Sequence, residues 1–211
     1  CMGGLSPAFE YVSRCLSAGK NVVTSNKELV AERGLELTAL ARKMGVNFMF
    51  EASVGGGIPI LRPISQCLAA NEISAVYGIL NGTTNYILTE MIQRGKSFEQ
   101  ALREAQEKGF AEADPTADVE GIDAGRKICI LADLCFGKNV PPSAITTEGI
   151  THITPADIAC ARTLGYKIKL LGRAMRTGPN SVTAFVAPHL ISQSNPIANV
   201  DGVLNGIAVR G

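Results

Sequence analysis

A strand–helix–strand pattern near the start of the chain restricts the fold more than any other feature. Residues 21–25 and 47–53 are short apolar runs with strand character, and residues 27–44 between them repeat apolar side chains at helical spacing. Two strands joined by a helix in this way pair in parallel through a right-handed crossover. We therefore predict that residues 1–50 are the last part of a doubly wound α/β domain. Within its helix, Gly34 predicts a break into two helices.

The pattern changes after residue 54, where strands and helices no longer alternate regularly. Helices are predicted over 58–70, 83–95, 97–109, 120–136 and 154–165, and strands over 72–80, 166–177, 181–191 and 203–209. Ser97 and Gln100 have the spacing of a capping box, and the GPN sequence at 178–180 is typical of a hairpin turn. We expect residues 51–211 to form an α+β domain with a mixed or antiparallel sheet covered by helices.

An acidic segment, GFAEADPTADVEGIDAGRK at 109–127, is the main candidate for a functional site. Its carboxylates repel one another and are costly to dehydrate, so a fold gains little from crowding them. Asp123 and Lys127 are four residues apart and share one face of a helix. The alternative is a solvated loop with a surface ion pair worth only ~0.3–0.5 kcal/mol. The apolar run ICILADLCF that follows disfavours this alternative, because it buries the helix and turns its polar end toward a cleft.

Composition excludes several classes of function. The net charge is +1, aromatic residues make up 5% of the chain and there is no basic run, so nucleic acid is not an expected partner. The sequence contains no run of 18 apolar residues, so no membrane span is predicted. His152 and His189 have no potential metal ligands at suitable spacing. Six cysteines without C-x-x-C spacing predict mostly buried free thiols in a cytoplasmic protein. They are residues 1, 15, 67, 129, 135 and 160.

Five separated motifs resemble the homoserine dehydrogenase family. They are KNVVTSNK (20–27), FEASVGGGIPI (50–60), LNGTTNYIL (80–88), GFAEADPTADVEGIDAGRK (109–127) and NPIANVDGVLNGI (195–207). They occur in order and cover nearly the whole chain, which makes the resemblance specific. It implies the NADP- or NAD-dependent reduction of aspartate 4-semialdehyde to homoserine, on the route to threonine, methionine and isoleucine. It also implies a homodimer whose substrate is a small molecule.

The resemblance assigns the chemistry to three side chains. Lys127 matches the proton donor that completes hydride transfer, a role that suits a buried ammonium whose pKa desolvation lowers. Asp123 matches the carboxylate that orients this lysine and contacts the substrate. Lys27 matches a lysine at the junction of nicotinamide and substrate. Its alternative is a solvated charge, although the dipole at the start of a helix disfavours a cation there.

Further residues are expected to bind the substrate or the cofactor. For the substrate these are Glu112, which resembles the residue that holds the amino group, and Asp118, Asp123, Thr83 and Phe110. For the cofactor they are Lys27, Asn26, Gly82 and Gly109. The helix start at residues 81–84 suits a substrate carboxylate or a cofactor group, whereas Thr83 also suits a simple N-cap. Asp114 has the same ambiguity, between a functional group and a cap or turn.

A monovalent-cation site is also implied by the resemblance. The sequence EASVGGGI at 51–58 resembles a sodium site with ligands at Glu51, Val54, Gly56 and Ile58. Hard cations take oxygen ligands, and glycines let backbone carbonyls converge. The alternative is a glycine-rich hinge between two domains that holds no ion.

Two departures from the expected pattern matter for function. No G-x-G-x-x-G turn is present, and the resemblance places this pyrophosphate-binding turn before Cys1. We therefore expect a fragment that is inactive alone, and the alternative function is a non-catalytic fragment that folds, binds substrate and dimerises. Gly125 replaces an expected alanine at a cost of roughly 1 kcal/mol in a helix. It either weakens the turn between Asp123 and Lys127 or permits close packing.

Overall fold

The computed structural model describes residues 2–211. Within them are seven α-helices and seven strands, and the strands form two sheets. The helices are α1 (Ala8–Ser17), α2 (Lys27–Met44), α3 (Gly82–Arg94), α4 (Phe98–Glu107), α5 (Thr116–Val119), α6 (Ile122–Phe136) and α7 (Pro155–Thr163). The strands are β1 (Val22–Val23), β2 (Phe48–Met49), β3 (Ala75–Ile79), β4 (Thr146–Thr147), β5 (Tyr166–Arg176), β6 (Val182–Ser192) and β7 (Gly206–Arg210). Cys1 lies outside the described residues.

The amino-terminal part is the predicted strand–helix–strand unit. β1 and β2 pair in parallel, with Val22 opposite Phe48, and α2 connects them. The side chain of Asn26 caps α2 by accepting a hydrogen bond from the Leu29 amide, and Gly45 ends the helix in a left-handed conformation. Local cap chemistry thus sets both ends of the helix that crosses between the parallel strands.

The predicted break of α2 at Gly34 is wrong, because the helix is continuous from Lys27 to Met44. A glycine in a helix interior costs only about 1 kcal/mol relative to alanine. Gly34 is buried, and the packing of α1 on α2 around Leu16 and Leu37, both 0% exposed, outweighs that cost.

The carboxyl-terminal part is built on a five-stranded mixed sheet in the order β4-β6-β5-β3-β7. β4 runs parallel to β6, and every other neighbouring pair is antiparallel. β5 and β6 form the predicted hairpin, in which Tyr166 pairs with Ser192 and Arg176 with Val182. The predicted combination of a parallel unit with a mixed sheet covered by helices is therefore confirmed.

Helix α6 joins the two parts of the molecule. It packs against β3, β5 and β6 on one side and against α2 on the other. Ile128 and Leu131 of α6 are both 0% exposed. Gly172 of β5 allows this close approach, since a Cβ there would lie 2.7 Å from Leu80 Cδ1 and 3.2 Å from Ile128 Cβ. The polar first turn of α6 is thereby held against the ends of β3 and α2.

Residues 47–70 depart most from the sequence prediction. The strand ends at Met49 and is followed by a 3₁₀ turn over Glu51–Ser53, and the predicted helix over 58–70 is reduced to residues 61–62 and a short π-helix over Pro63–Cys67. Proline lacks a backbone N–H, so Pro59 and Pro63 cannot complete a regular helical ladder. The Glu51 carboxylate instead accepts hydrogen bonds from the amides of Leu61 and Arg62.

The cysteines other than Cys1 are free, but fewer are buried than predicted. Cys129 is buried, Cys15 and Cys135 are half-buried, and Cys67 and Cys160 are exposed. Burial raises the pKa of the Cys129 and Cys135 thiols to about 12. Among residues 2–211, no helix combines the length and apolarity needed to cross a bilayer.

Candidate active site

A cleft of about 450 Å³ opens between the amino-terminal unit, the loop after β2 and the first turn of α6. Lys27 and Lys127 both line it, although they are 100 positions apart in the sequence. Ser25 and Asn26, which follow β1, form another part of the wall. The cleft therefore lies at the carboxyl edge of the parallel strands, where open α/β sheets bind their ligands.

The two lysines meet on one buried carboxylate. Asp123 is 3% exposed, and its Oδ2 accepts a hydrogen bond of 2.6 Å from Lys127 Nζ. The ammonium of Lys27 forms an ion pair with the other oxygen, Oδ1. The sequence predicted the contact within α6 from its spacing, but only the fold brings Lys27 to the same carboxylate.

The charge of Asp123 is stabilised against its burial. Burial by itself raises the pKa of this carboxyl, but the charge of Lys127 and hydrogen bonds from Asn81, Lys127 and Lys27 outweigh it and lower the pKa below the ordinary value. Asp123 is therefore a fixed anion at neutral pH. It holds and orients cations and does not itself exchange protons.

Lys127 lines the cleft and makes two hydrogen bonds within the protein. Its Nζ donates to Asp123 Oδ2 and, at 2.8 Å, to the carbonyl of Leu80 at the end of β3. An ammonium has three N–H donors, so one remains for a ligand after these two bonds. The side chain is only 15% exposed and lines the cleft, so this remaining donor points to a restricted space.

Asn81 connects the acidic groups, a role that the sequence analysis missed. Its Nδ2 donates to Asp118 Oδ1 at 2.7 Å and to Asp123 Oδ2 at 2.9 Å. Its Oδ1 accepts from the amide of Thr84, so Asn81 is the N-cap of α3. Asparagine before a predicted helix is a recognisable N-cap signal. Its contacts with two distant carboxylates had no signal in the sequence.

Thr83 and the start of the acidic segment are held together beside α3. Thr83 is not the N-cap, and its hydroxyl donates to the carbonyl of Phe110 at 2.7 Å. The Phe110 ring contacts Tyr86 edge to face, with centroids 5.1 Å apart. Gly109, which precedes Phe110 and follows α4, has a φ of 74°. These contacts fix the entry to the acidic segment at the amino end of α3.

The remaining carboxylates of the segment are more exposed. Glu112 is exposed, and its backbone carbonyl accepts a hydrogen bond from Gln106 Nε2 at 3.1 Å. Asp114 Oδ1 accepts from both the amide and the hydroxyl of Thr116, which favours the turn interpretation of this residue. Asp118 joins Asp123 through Asn81. Several predicted substrate and cofactor residues do not line the 450 Å³ cleft: Glu112, Phe110, Asp118, Thr83, Gly82 and Gly109.

Gly82 shapes the site by having no side chain. A Cβ at this position would lie 2.6 Å from the carbonyl oxygen of Val203. The first turn of α3 therefore packs directly on the backbone that follows the 3₁₀ turn at Pro196–Asn199. Close approach of two backbones is a common reason for glycine.

The loop at 51–58, predicted to hold a cation, combines a carboxylate with two glycines of positive φ. Each carboxylate oxygen of Glu51 accepts one backbone hydrogen bond, at 2.8 and 2.9 Å, and each retains lone-pair capacity. Gly55 and Gly56 have φ values of 77° and 59°, a conformation that L side chains rarely adopt. The Ile58 carbonyl accepts from the Ile60 amide at 2.9 Å. No cluster of three His, Cys, Asp or Glu side chains suited to a metal occurs within residues 2–211.

Gly125 leaves the helical turn between Asp123 and Lys127 intact. α6 is continuous from Ile122 to Phe136, and the Lys127–Asp123 hydrogen bond is formed. A Cβ on Gly125 would lie 3.3 Å from Thr147 Cγ2 and 3.7 Å from Ile145 Cγ2. The glycine therefore permits close packing of the segment that carries β4.

Comparison with known proteins identifies the family. A family model described as homoserine dehydrogenase matches residues 59–211. The homoserine dehydrogenase of Neisseria gonorrhoeae is 48% identical over 208 residues, which are 99% of this chain and 48% of that protein. The chain belongs to the homoserine dehydrogenase family. A Pseudomonas aeruginosa homoserine dehydrogenase is likewise 48% identical, over 100% of this chain and 48% of its own length.

Solved homoserine dehydrogenases share the fold. A Thiobacillus denitrificans homoserine dehydrogenase superposes with a TM-score of 0.95 at 48% identity, covering 100% of this chain and 48% of that one. A hyperthermophilic archaeal homoserine dehydrogenase in complex with NADPH superposes with a TM-score of 0.83 at 31% identity, covering 96% of this chain and 58% of that one. The chain spans about half the length of the curated relatives that it matches.

Proposed function

We propose that this chain is the substrate-binding and catalytic part of a homoserine dehydrogenase that interconverts L-aspartate 4-semialdehyde and L-homoserine. The observation that carries the proposal is the convergence of Lys27 and Lys127 on the buried carboxylate of Asp123 beside a cleft. Such a centre supplies a positioned proton donor. We further propose that the reaction contributes to the synthesis of threonine, methionine and isoleucine, in the cytoplasm.

Proton transfer is assigned to Lys127. When bound, NADPH or NADH would supply the hydride that reduces the aldehyde to an alkoxide. The alkoxide oxygen then takes a proton from Lys127 Nζ, whose orientation is fixed by Asp123 and the Leu80 carbonyl. In the reverse direction the neutral amine of Lys127 accepts the proton of the homoserine hydroxyl. Lys27 adds positive charge at the cleft that stabilises the alkoxide.

Substrate binding is assigned to the acidic segment and the start of α3. The substrate carries an ammonium, for which Glu112 and Asp118 are the proposed partners together with Asp123. Thr83 and Phe110 are proposed to shape this part of the site, supported by their mutual hydrogen bond of 2.7 Å. A carboxylate-rich site favours a cationic amino group over its uncharged analogues.

The cofactor is proposed to lie in the cleft at the carboxyl edge of β1 and β2. The volume of about 450 Å³ and the position beside Asn26 and Lys27 fit a nicotinamide nucleoside. Gly82 and Gly109 are the other proposed contacts with the cofactor. These contacts are compatible with either NADP or NAD. The likeness to the archaeal homoserine dehydrogenase in complex with NADPH supports the assignment.

A sodium ion is proposed at the loop over 51–58. The proposed ligands are Glu51, Val54, Gly56 and Ile58, supported by the oxygen-rich loop and its two glycines with positive φ. Replacing Na⁺ by choline during an activity assay tests this site, and Glu51→Gln should remove any Na⁺ dependence. Activity that is the same in both salts contradicts it.

The proposed domain boundary lies near residue 50, with the end of a dinucleotide-binding domain before it and the catalytic and dimerisation domain after it. A separate hydrophobic cluster centred on α1 and α2 supports this division, and Val30 and Ala31 of α2 pack across the boundary with the cluster centred on α6. We propose a homodimer formed through the sheet, on which Tyr77, Ile191 and Ala208 are only partly buried. Light scattering of the purified protein measures its mass, and a monomer at micromolar concentration contradicts this assignment.

The function is tested with a chimera in which this chain replaces the matching half of the Neisseria gonorrhoeae homoserine dehydrogenase. Homoserine-dependent reduction of NADP and NAD is measured beside the chain alone. We expect turnover by the chimera and its loss in Lys127→Ala, with binding of homoserine retained. A folded chimera that never oxidises homoserine contradicts the proposal. Turnover by the chain alone contradicts the expectation that a fragment without the pyrophosphate turn is inactive.

A further inference from the structure

The backbone between β6 and β7 is held by a buried lysine and an asparagine. Lys169 of β5 is 0% exposed, and its Nζ donates to the Val200 carbonyl at 2.6 Å and to Asp201 Oδ1 at 2.8 Å. The Asn85 side chain accepts a third bond from Lys169 at 3.0 Å. It also donates to the carbonyls of Val200 and Leu204, both at 3.0 Å. The ends of the segment 200–204 are thus tied to one buried network.

The middle of this segment is fixed against α3 as well. The Gly202 amide donates to Thr89 Oγ1 at 3.0 Å, and the Val203 carbonyl packs on Gly82. Side chains from α3 and β5 therefore hold nearly every peptide of a segment that has no regular secondary structure. Burying a lysine in this way is costly unless the geometry that it fixes is needed.

The segment delivers Asn205 to the cleft. Asn205 lines the same cavity as Lys27 and Lys127. Its Oδ1 is buried and accepts no hydrogen bond from any residue between 2 and 211. Buried polar side-chain atoms are nearly always paired, so this unpaired acceptor lacks a donor. The atom is closed off from the cleft in this conformation, and rotation of the Asn205 amide about its soft χ2 torsion turns it toward a donor from a ligand in the cleft.

The chemistry of that donor follows from the charges around it. The substrate ammonium is best paired with carboxylates. The carboxylate that lines the cleft, Glu28, already pairs with Arg126, and the buried Asp123 already pairs with the two lysines. A neutral amide oxygen matches a neutral N–H donor. The carboxamide of a nicotinamide ring has such a donor, and its orientation decides which face of the ring meets the substrate.

We propose that Asn205 accepts a hydrogen bond from the nicotinamide carboxamide and thereby sets the rotation of the ring in the cleft. The assignment rests on the proposed function, since it needs a nicotinamide cofactor. Lys169 and Asn85 are positioning residues in this arrangement, because they hold the backbone that carries Asn205 and do not line the cleft.

The test compares NADP with its 3-acetylpyridine analogue, in which a methyl group replaces the carboxamide NH₂. Dissociation constants of both are measured by calorimetry on the chimera, without turnover, and the NAD pair is measured in the same way. We expect the unaltered chimera to bind the analogue about three- to tenfold more weakly, the effect of one unmade hydrogen bond. In Asn205→Ala this ratio should fall to about one.

Controls separate the role of Asn205 from a loss of structure. Asn180→Ala, at the exposed hairpin turn, should retain the full ratio. Asn205→Leu also removes the acceptor but fills the space of the amide. It should give the same ratio as Asn205→Ala, and it replaces that variant if Asn205→Ala does not fold. Equal discrimination in the unaltered chimera and in the folded Asn205 variants overturns the inference, as does a chimera that binds no nicotinamide nucleotide.

The outcome for the proposed function is read separately. If the chimera oxidises homoserine but its preference for NADP over the analogue is the same without Asn205, the proposed function stands and the inference is overturned. A chimera that binds NADP with an Asn205-dependent preference but never oxidises homoserine keeps the inference and overturns the proposed function.

Discussion

Asn81 Nδ2 lies 2.9 Å from Asp123 Oδ2, the same oxygen that accepts a hydrogen bond from Lys127. This contact joins the amino end of α3 to the first turn of α6. Because Asn81 also caps α3 and donates to Asp118, one side chain fixes the relative positions of two carboxylates and of a helix start. Asn81 therefore fixes the carboxylate that holds Lys127, the proposed proton donor.

Replacing Asn81 by alanine should impair both stability and turnover. The variant loses an N-cap and leaves a buried oxygen of Asp123 with one donor fewer, which together cost about 1–3 kcal/mol. Urea unfolding of the chain and kcat of the chimera measure the two effects. Asn195→Ala removes the cap of the 3₁₀ turn at Pro196–Asn199. It should lower stability with little change in kcat, and an equal loss of kcat in both variants would argue against a specific role for Asn81.

Lys127→Met should reduce kcat of the chimera by about 10²–10⁴-fold, the usual contribution of a general acid–base group. Methionine retains much of the side-chain volume, so homoserine should still bind. Pre-steady-state hydride transfer and the dissociation constant of homoserine are the measurements. Lys138→Met, on an exposed part of the chain, is the matched control and should keep the original rate. Retention of kcat in Lys127→Met would exclude this lysine as the proton donor.

Asp133→Asn should stabilise the chain above pH 6 and not near pH 4. Burial raises the pKa of Asp133 to about 6 from an ordinary value of 3.8, although the Val140 amide opposes the shift. The folded state therefore holds a proton that the unfolded state has released, and stability falls as pH rises from about 4 to 6. Because Asp133 is partly exposed, we expect a gain of only roughly 1–2 kcal/mol at pH 7–8.

Thermal unfolding of Asp133→Asn across pH 4–8 measures this gain. Asp157→Asn provides a control of opposite sign, because hydrogen bonds from the Thr154 side chain and backbone lower the pKa of Asp157. That variant should lose Tm above pH 4. A gain for Asp133→Asn that is independent of pH would show that the titration of this carboxyl is not its cause.

Lys169→Met should destabilise the chain by about 1–3 kcal/mol, since it leaves the Val200 carbonyl and the Asp201 carboxylate without their main donor. Burial lowers the pKa of Lys169, and Asp201 partly offsets this effect. Lys167→Met on the same strand removes an exposed hydrogen bond of 3.2 Å to Asn199 and a contact of 3.6 Å to Asp201. It should change stability by about 0.5 kcal/mol or less.

The double variant Lys169→Met/Asp201→Asn tests the coupling of this pair. It should recover part of the loss, because it removes the charge that the first substitution leaves unpaired. Chemical unfolding of the unaltered chain, Lys169→Met, Asp201→Asn and the double variant gives the interaction energy. Strict additivity would show that Lys169 stabilises the segment through its contacts with Val200 and Asn85 alone.

Local structure was largely set by the sequence. The capping box at Ser97, the hairpin of β5 and β6 and the helix that carries Asp123 and Lys127 were all predicted from neighbouring residues, and all are confirmed. Each depends on side chains within a few positions of one another. The prediction failed at Gly34 and over 58–70, where packing outweighed a weak glycine penalty and prolines interrupted a helical pattern.

The site itself was decided by the tertiary structure. The i,i+4 spacing of Asp123 and Lys127 placed them on one face, because helix geometry repeats locally. Lys27 and Asn81 reach the same carboxylate only because α6 packs between the parallel unit and the mixed sheet. Asn205 lines the cleft only because a buried lysine holds the segment before it. These contacts depend on packing between elements that are distant in the sequence. A single sequence has no local pattern that predicts such packing.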